Sequence, residues 1–149
     1  MKIINFFNCE NKEHWLSKID GCDWDAGKYL CYLLKTNRLF ELVGEGSKVL
    51  MLTDGDELIS FCTLAKYDDV QPTDLTPWIG WIYTFPSYRG RHLAGELLKG
   101  AEKMARESGA EAVHISTNHD GLYEKYDYEF LKYDKDVEGE DTKVYIKRL

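Results

Sequence analysis

A short basic turn between two apolar segments has the residue types and spacing needed to bind an anion. The segment before the turn, 78–84, is rich in aromatic and β-branched residues and predicts a buried strand. The segment after it, from about 91 to 108, places leucines and alanines on one face and predicts a helix. The first N–H groups of a helix lack partners and carry a partial positive charge. Arg89 and Arg91 add formal charge, so we predict a site here for the phosphate part of a cofactor.

The glycine pattern of the turn excludes two common phosphate-binding motifs. No Gly-Lys-Ser/Thr follows, as a Walker A loop requires, and the three spaced glycines of the dinucleotide fingerprint are missing. The turn resembles motif A of the N-acetyltransferase family known as GNAT, which reads Gln/Arg-x-x-Gly-x-Gly/Ala. Arg89 matches the first position and Ala94 the last, whereas His92 stands where the middle glycine is usual.

A second segment, 118–128, resembles a later motif of the same family, an Asn followed by Leu-Tyr-Glu-Lys-x-Gly-Phe. Asp127 and Tyr128 stand where Gly and Phe are usual, and Asp tolerates a left-handed turn better than most residues. The resemblance is detailed from about Trp78 onward. Before that residue, only the order of predicted elements agrees.

The resemblance implies an acetyl-CoA-dependent N-acetyltransferase that moves an acetyl group to a primary amine of a small molecule or peptide. The amine would attack the thioester directly. Backbone amides of the turn would hold the CoA pyrophosphate, the strand before it would pair with the pantetheine arm, and an asparagine would contact that arm. The implied cofactor-binding residues are Ile82, Tyr83, Thr84, Arg89, Gly90, Arg91, His92, Leu93, Ala94 and Asn118.

Proton transfer in this reaction would use Tyr123 and His119. Tyr123 matches the family's tyrosine near the CoA sulfur, and a phenol with a pKa near ~10 can protonate a thiolate. Many relatives carry a Glu on the strand before the turn, but 78–84 contains no acid, so His119 acting through a water is the candidate base. The alternatives are a packing tyrosine and a solvated loop histidine. No metal site is predicted, since the spacing of His114, His119 and Asp120 does not specify a ligand geometry.

The rest of the chain predicts one α/β (α+β) domain over residues 1–149, with a mixed, mostly antiparallel sheet flanked by helices. Asp54-Gly55 marks a hairpin, and Asp23 or Asp25 is expected to cap a helix. Strands are predicted at 2–7, 48–53, 57–66, 78–84, 112–116, 130–133 and 143–147. Other helical segments are predicted at 11–19, 38–43 and 121–126.

Composition limits the partners of the chain. With 19 basic and 26 acidic side chains, the net charge is −7, which argues against nucleic acid. The absence of a long apolar run or signal-peptide layout predicts no membrane partner and a cytoplasmic location. The four cysteines are expected to be reduced and mostly buried, and a homodimer is compatible with the sequence.

Two acidic segments, 66–74 and 134–141, match loops that border the acceptor mouth in the family. Acidic side chains there would attract a cationic amine, or would simply be a solvated surface. Two other functions stay open at this stage. One is a module that binds CoA or acyl-CoA without turnover, and the other is a structural or interaction protein with a degenerate site.

Overall fold

The computed structural model describes all 149 residues and contains one seven-stranded sheet. The strands lie in the order β1-β2-β3-β4-β5-β7-β6, and every neighbouring pair is antiparallel except β4 and β5. This confirms the predicted mixed, mostly antiparallel sheet. The strands are β1 (Lys2–Asn5), β2 (Lys48–Asp54), β3 (Glu57–Ala65), β4 (Trp78–Thr84), β5 (Ala112–Thr117), β6 (Glu129–Lys135) and β7 (Asp141–Arg148).

Four α-helices cover the two faces of this sheet. The helices are α1 (Lys12–Asp20), α2 (Asp25–Lys35), α3 (Leu39–Val43) and α4 (Leu93–Glu107), and short 3₁₀ turns occupy Phe6–Asn8, Pro86–Tyr88 and Tyr123–Tyr126. The first three helices pack on one face and α4 on the other. None of the helices has the length and apolar character needed to cross a membrane.

The central strands β2 and β3 are buried on both faces because each face of the sheet carries its own apolar cluster. Phe61 of β3 packs with α1–α3, and its neighbour Cys62 packs on the α4 side; both are fully buried. This alternation follows from the two-residue period of a strand. On α4, Leu97, Leu98 and Ala101 are buried against the sheet, as the helical spacing predicts.

Several local predictions are confirmed and others are corrected. The Asp54-Gly55 hairpin is present, and Gly55 adopts a φ of 59°. The predicted cap of α2 is wrong: Trp24 is the N-cap residue and no side chain caps the helix. Asp23 is unavailable because its carboxylate accepts a hydrogen bond from the Tyr83 hydroxyl, 2.6 Å away.

The ends of three elements also differ from the prediction. β1 ends at Asn5, because Phe6 begins a 3₁₀ turn. α4 begins at Leu93, because His92 adopts a left-handed conformation. The segment predicted as a helix at 121–126 is only a 3₁₀ turn from Tyr123. The cysteines are free, and all but Cys9 are buried.

Candidate active site

The strands β4 and β5 diverge and leave a gap in the middle of the sheet. They pair at Trp78 and His114 alone, so the edge of β4 that faces β5 is open beyond that point. A register shift against β3 marks a bulge in β4, where Trp81 adopts a φ of 48°. The Trp81 indole N–H donates to the Ala26 carbonyl at 2.6 Å and ties α2 to this bulge.

The turn after β4 forms one wall of a cavity of about 610 Å³, which we call the turn cavity. Five successive backbone N–H groups in this turn, from Gly90 to Ala94, have no backbone acceptor. Gly90 and His92 adopt φ values of 82° and 56°, which expose these N–H groups ahead of the fifteen-residue helix α4. A row of free donors at a helix N-terminus is suited to the oxygens of a phosphate.

The gap between the strands forms a second cavity of about 830 Å³, which we call the β4–β5 cavity. Its lining includes four carboxylates and no lysine or arginine. The carboxylates are Glu41, Asp68, Asp69 and Glu138. Glu41 also pairs with Arg38 outside the cavity, at 3.4 Å. The Val137 N–H donates to the Asp69 carbonyl at 2.7 Å, which holds the β3–β4 loop against the β6–β7 turn.

The two cavities meet at four residues that line both of them, Trp24, Ile82, His119 and Tyr123. Tyr123 is buried, and burial raises the pKa of its phenol to about 12, with smaller contributions from nearby Cys62 and Tyr126. The phenol therefore stays protonated near neutral pH. The His119 ring is exposed, and its backbone N–H donates to the Thr117 hydroxyl.

The turn that carries Tyr123 is fixed against α4 by close packing and by a buried ion pair. The Tyr126 ring lies over Gly95, where a Cβ would be 2.6 Å from the ring. The Tyr128 hydroxyl donates to Glu102 at 2.7 Å, and Lys147 donates to the same carboxylate at 2.9 Å. Asp127 adopts a φ of 72°, which confirms the left-handed turn expected where relatives carry glycine.

The structure brings most of the predicted site residues together. The turn cavity is lined by Ile82, Tyr83, Thr84, Arg89, Gly90, His92, Leu93, Ala94, His119 and Tyr123. Arg91 lines neither cavity, and its guanidinium lies over the Tyr88 ring. Asn118 lines the β4–β5 cavity, where its amide donates to the Asp141 carbonyl at 3.2 Å. Its contact with a cofactor arm stays a prediction.

Only part of the predicted acidic rim reaches the cavity. Asp68, Asp69 and Glu138 line it, whereas Asp74 and Glu140 do not. Asp136 accepts hydrogen bonds from the N–H groups of Glu138 and Glu140, at 2.9 and 3.0 Å, and so shapes the turn. The remaining acids of that segment, Asp134 and Asp141, form ion pairs with lysines of β6.

Three site features were not evident from the sequence: Trp24 at the junction, Glu41 in the wall and the contact of Asp68 with Gly80. A Cβ at position 80 would lie 1.9 Å from Asp68 Oδ1. In the sequence, this contact could have been suspected only from the glycine at position 80, within an otherwise aromatic and β-branched strand. No group of three or more His, Cys, Asp or Glu side chains is arranged to hold a metal ion.

Comparison with solved structures shows that this fold is widely shared. The aminoglycoside 6'-N-acetyltransferase of Enterococcus faecium superposes with a TM-score of 0.71 at 13% identity, covering 99% of this chain and 97% of that chain. A GNAT family acetyltransferase of Elizabethkingia anophelis with acetyl-CoA bound gives a TM-score of 0.68 at 14% identity, with 99% and 97% covered. The ribosomal-protein-alanine N-acetyltransferase of Brucella melitensis gives 0.64 at 13% identity over 100% of both chains.

These identities show the fold alone, and a search of curated proteins found no match. The family is shown by the sequence itself. Residues 8–128 match the model of the acetyltransferase (GNAT) family, which confirms the resemblance noted in the turn and in the later motif. The matched range contains β4, the basic turn, the free amides and Tyr123. The chain therefore belongs to the acetyltransferase (GNAT) family, whose members transfer an acetyl group from acetyl-CoA to an amine.

Proposed function

We propose that this chain acetylates a small cationic amine, with acetyl-CoA in the turn cavity and the amine in the β4–β5 cavity. The nitrogen lone pair attacks the thioester carbonyl where the cavities meet, and CoA leaves as the thiol. The observation that carries the acceptor class is the lining of the β4–β5 cavity, which has four carboxylates and no lysine or arginine.

The turn cavity suits the cofactor for two reasons. The free N–H groups from Gly90 to Ala94 would donate to the pyrophosphate, and Arg89 and the helix N-terminus add positive potential. The edge of β4 that faces β5 has no partner strand beyond Trp78, and the pantetheine arm would lie along it, beside Ile82 to Thr84, as an added strand. One similar structure, that from Elizabethkingia anophelis, has acetyl-CoA bound.

Tyr123 is the proposed donor to the departing sulfur. Its phenol borders both cavities, so it lies where the C–S bond would break. Because burial keeps the phenol protonated, it would donate a hydrogen bond, and then its proton, as negative charge grows on sulfur. His119 borders the same junction, and its predicted role as a base acting through water stays a proposal.

The acceptor is proposed to be cationic because carboxylates with low-dielectric walls concentrate cations in a cleft. The names of the similar proteins include both a small-molecule acceptor, an aminoglycoside, and a protein acceptor, a ribosomal-protein alanine. A cavity of about 830 Å³ between two strands has room for a small amine but not for a folded protein surface.

A matched pair of substitutions tests the acceptor class. Glu138→Gln removes a charge from the cavity wall, and Glu140→Gln removes the same charge two residues away, outside the cavity. For a polyamine acceptor, we expect Glu138→Gln to raise KM several-fold with little change in kcat, and Glu140→Gln to change neither. The effect should shrink in high salt and be absent for a neutral amine. Equal use of neutral and cationic amines at every salt concentration would contradict the proposal.

A further inference from the structure

The carboxylate of Asp68 occupies space that a side chain on β4 would otherwise fill. Oδ1 of Asp68 would lie 1.9 Å from a Cβ at position 80, and its Cγ 2.7 Å from the same point. Only glycine at position 80 leaves room for this carboxylate. β4 itself carries no acidic residue, yet the β3–β4 loop places one against its backbone at Gly80, in the wall of the β4–β5 cavity.

The surroundings of Asp68 leave its charge without a counter-ion. No lysine, arginine or histidine forms an ion pair with Asp68 or with its neighbour Asp69. Asp69 Oδ1 is buried in the same wall and has no hydrogen-bond partner. The unpaired oxygen lacks a donor, which either a proton on the neighbouring Asp68 carboxyl or a bound ammonium group would supply.

We propose that Asp68 is the general base that takes a proton from the ammonium group of the acceptor before it attacks. The inference rests on the proposed function and adds to it the residue that activates the amine. Gly80 lies two residues before Ile82 on β4, so Asp68 lines the β4–β5 cavity near the junction of the two cavities. An amine nitrogen at the junction would contact the carboxylate directly or through one bridging water.

The protons and bonds balance as follows. The ammonium N–H bond breaks and its proton moves to the Asp68 carboxylate, which later releases it to solvent. The neutral nitrogen forms the C–N bond, and the C–S bond breaks with its electron pair on sulfur. Tyr123 gives its proton to that sulfur, and the second proton lost by nitrogen restores the phenol. The products are the acetylated amine, CoA thiol and one proton.

Electrostatics at the site agree with this role. Burial, and then the charge of Asp69, raise the pKa of Asp68 to about 7. Asp68 and Asp69 face each other, and the further charged group near the pair is Asp136 of the β6–β7 turn. On the neighbouring strands, β4 presents the backbone of Gly80 to the pair and β5 presents Ser116. A base whose pKa lies near the working pH is ionised in a large fraction of molecules and still binds a proton well.

The test compares Asp68→Asn with Asp74→Asn, a control in the same loop that lies outside the cavity. With an alkylamine that is protonated at pH 7, we expect Asp68→Asn to lower kcat/KM roughly 10²-fold or more, and Asp74→Asn to leave it unchanged. The rise of kcat/KM with pH near about 7 should disappear in Asp68→Asn, whereas its persistence in Asp68→Asn and loss in His119→Gln would assign the base to His119 instead. With an acceptor amine that is already neutral at the assay pH, the loss should shrink below about 10-fold, since no ammonium proton has to be removed.

A loss of equal size for neutral and protonated amines, or a retained pH limb in Asp68→Asn, would overturn the inference and leave acetyl transfer intact. If Asp68→Asn does not fold, the pH profile of kcat/KM for the wild-type protein tests the inference instead. The inference requires that the rise of kcat/KM occur near pH 7 for acceptor amines of different pKa. A rise whose midpoint follows the pKa of the acceptor would overturn the inference. Absence of transfer by the wild type to any amine would instead refute the proposed function.

Discussion

Replacing Asp68 by Asn should stabilise the protein, and the gain should grow with pH. Asn keeps the shape of the side chain but never ionises. The wild-type carboxylate has its pKa raised from 3.8 to about 7 by burial and by Asp69, so the folded state resists its ionisation. Below about pH 4 the group is protonated in both states and costs nothing. As pH rises from about 4 to about 7, the unfolded state ionises the group while the folded state keeps it protonated, so stability is lost across this range, and the loss is complete above it.

The size of this stability difference follows from the shift in the pKa of Asp68. The full change from 3.8 to about 7 corresponds to about 4 kcal/mol, because each pKa unit corresponds to about 1.4 kcal/mol. This figure is an upper bound, since water that reaches the partly exposed residue lowers it. Between about pH 5 and pH 8, the linkage relation lets the advantage of Asp68→Asn over wild type grow by at most about 3 kcal/mol.

Urea unfolding of both proteins at these two pH values measures the difference directly. Asp74→Asn is the control, and its stability should stay within about 0.5 kcal/mol of wild type at each pH, as for other exposed sites. A stability difference between Asp68→Asn and wild type that is the same at both pH values would refute the raised pKa. If Asp68→Asn were less stable than wild type at the higher pH, the view that the Asp68 carboxylate is buried without a counter-ion would also be refuted.

Tyr123→Phe keeps the ring and removes the proton, so kcat should fall roughly 10²-fold or more while acetyl-CoA affinity measured by calorimetry barely changes; an unchanged kcat would assign Tyr123 to packing. Because the pKa of Tyr123 is about 12, the wild-type rate should show no fall from this group between about pH 8 and pH 10. His92→Gly relieves a left-handed φ of 56° and should raise the free energy of unfolding by about 0.5–1 kcal/mol with CoA binding retained. Loss of CoA binding in that variant would show that the imidazole, rather than the backbone, holds the phosphate.

The family and the basic turn with its free N–H groups could be predicted because their signals are local. A strand, a glycine-containing basic turn and an amphipathic helix follow one another within about thirty residues, and the donors of the turn are backbone groups. The sheet was predictable for a similar reason, since apolar runs and the Asp54-Gly55 turn fix strands without reference to distant residues.

The β4–β5 cavity could be predicted only in part, through its acidic segments 66–74 and 134–141, because its wall is assembled from distant segments. Glu41, Asp68 and Glu138 come from α3, the β3–β4 loop and the β6–β7 turn, and they face one another because β4 and β5 diverge. No spacing in the sequence reports that divergence. The seating of Asp68 on Gly80 likewise depends on a loop conformation that hydrogen bonds from another turn hold in place.

The roles of Trp24 and Asp23 also could not be predicted from the local sequence. Asp23 has the residue type of a helix cap, and the local pattern favours that role. In the fold its carboxylate accepts the Tyr83 hydroxyl instead, and the Trp24 ring stacks on Tyr83 with centroids 5.6 Å apart. A tertiary contact across sixty residues has replaced the local cap.

The central claim is that this chain moves an acetyl group from acetyl-CoA to a cationic amine, and one measurement tests it most directly. Purified protein is incubated with acetyl-CoA and a panel of cationic and neutral amines, while thiol release is followed and products are identified by mass spectrometry. We expect amine-dependent release of CoA thiol and a mass gain of one acetyl group on the cationic amines, with the same protein carrying Tyr123→Phe as a slow control. Binding of acetyl-CoA without an acetylated product from any amine would contradict the claim and identify the chain as a CoA-binding module.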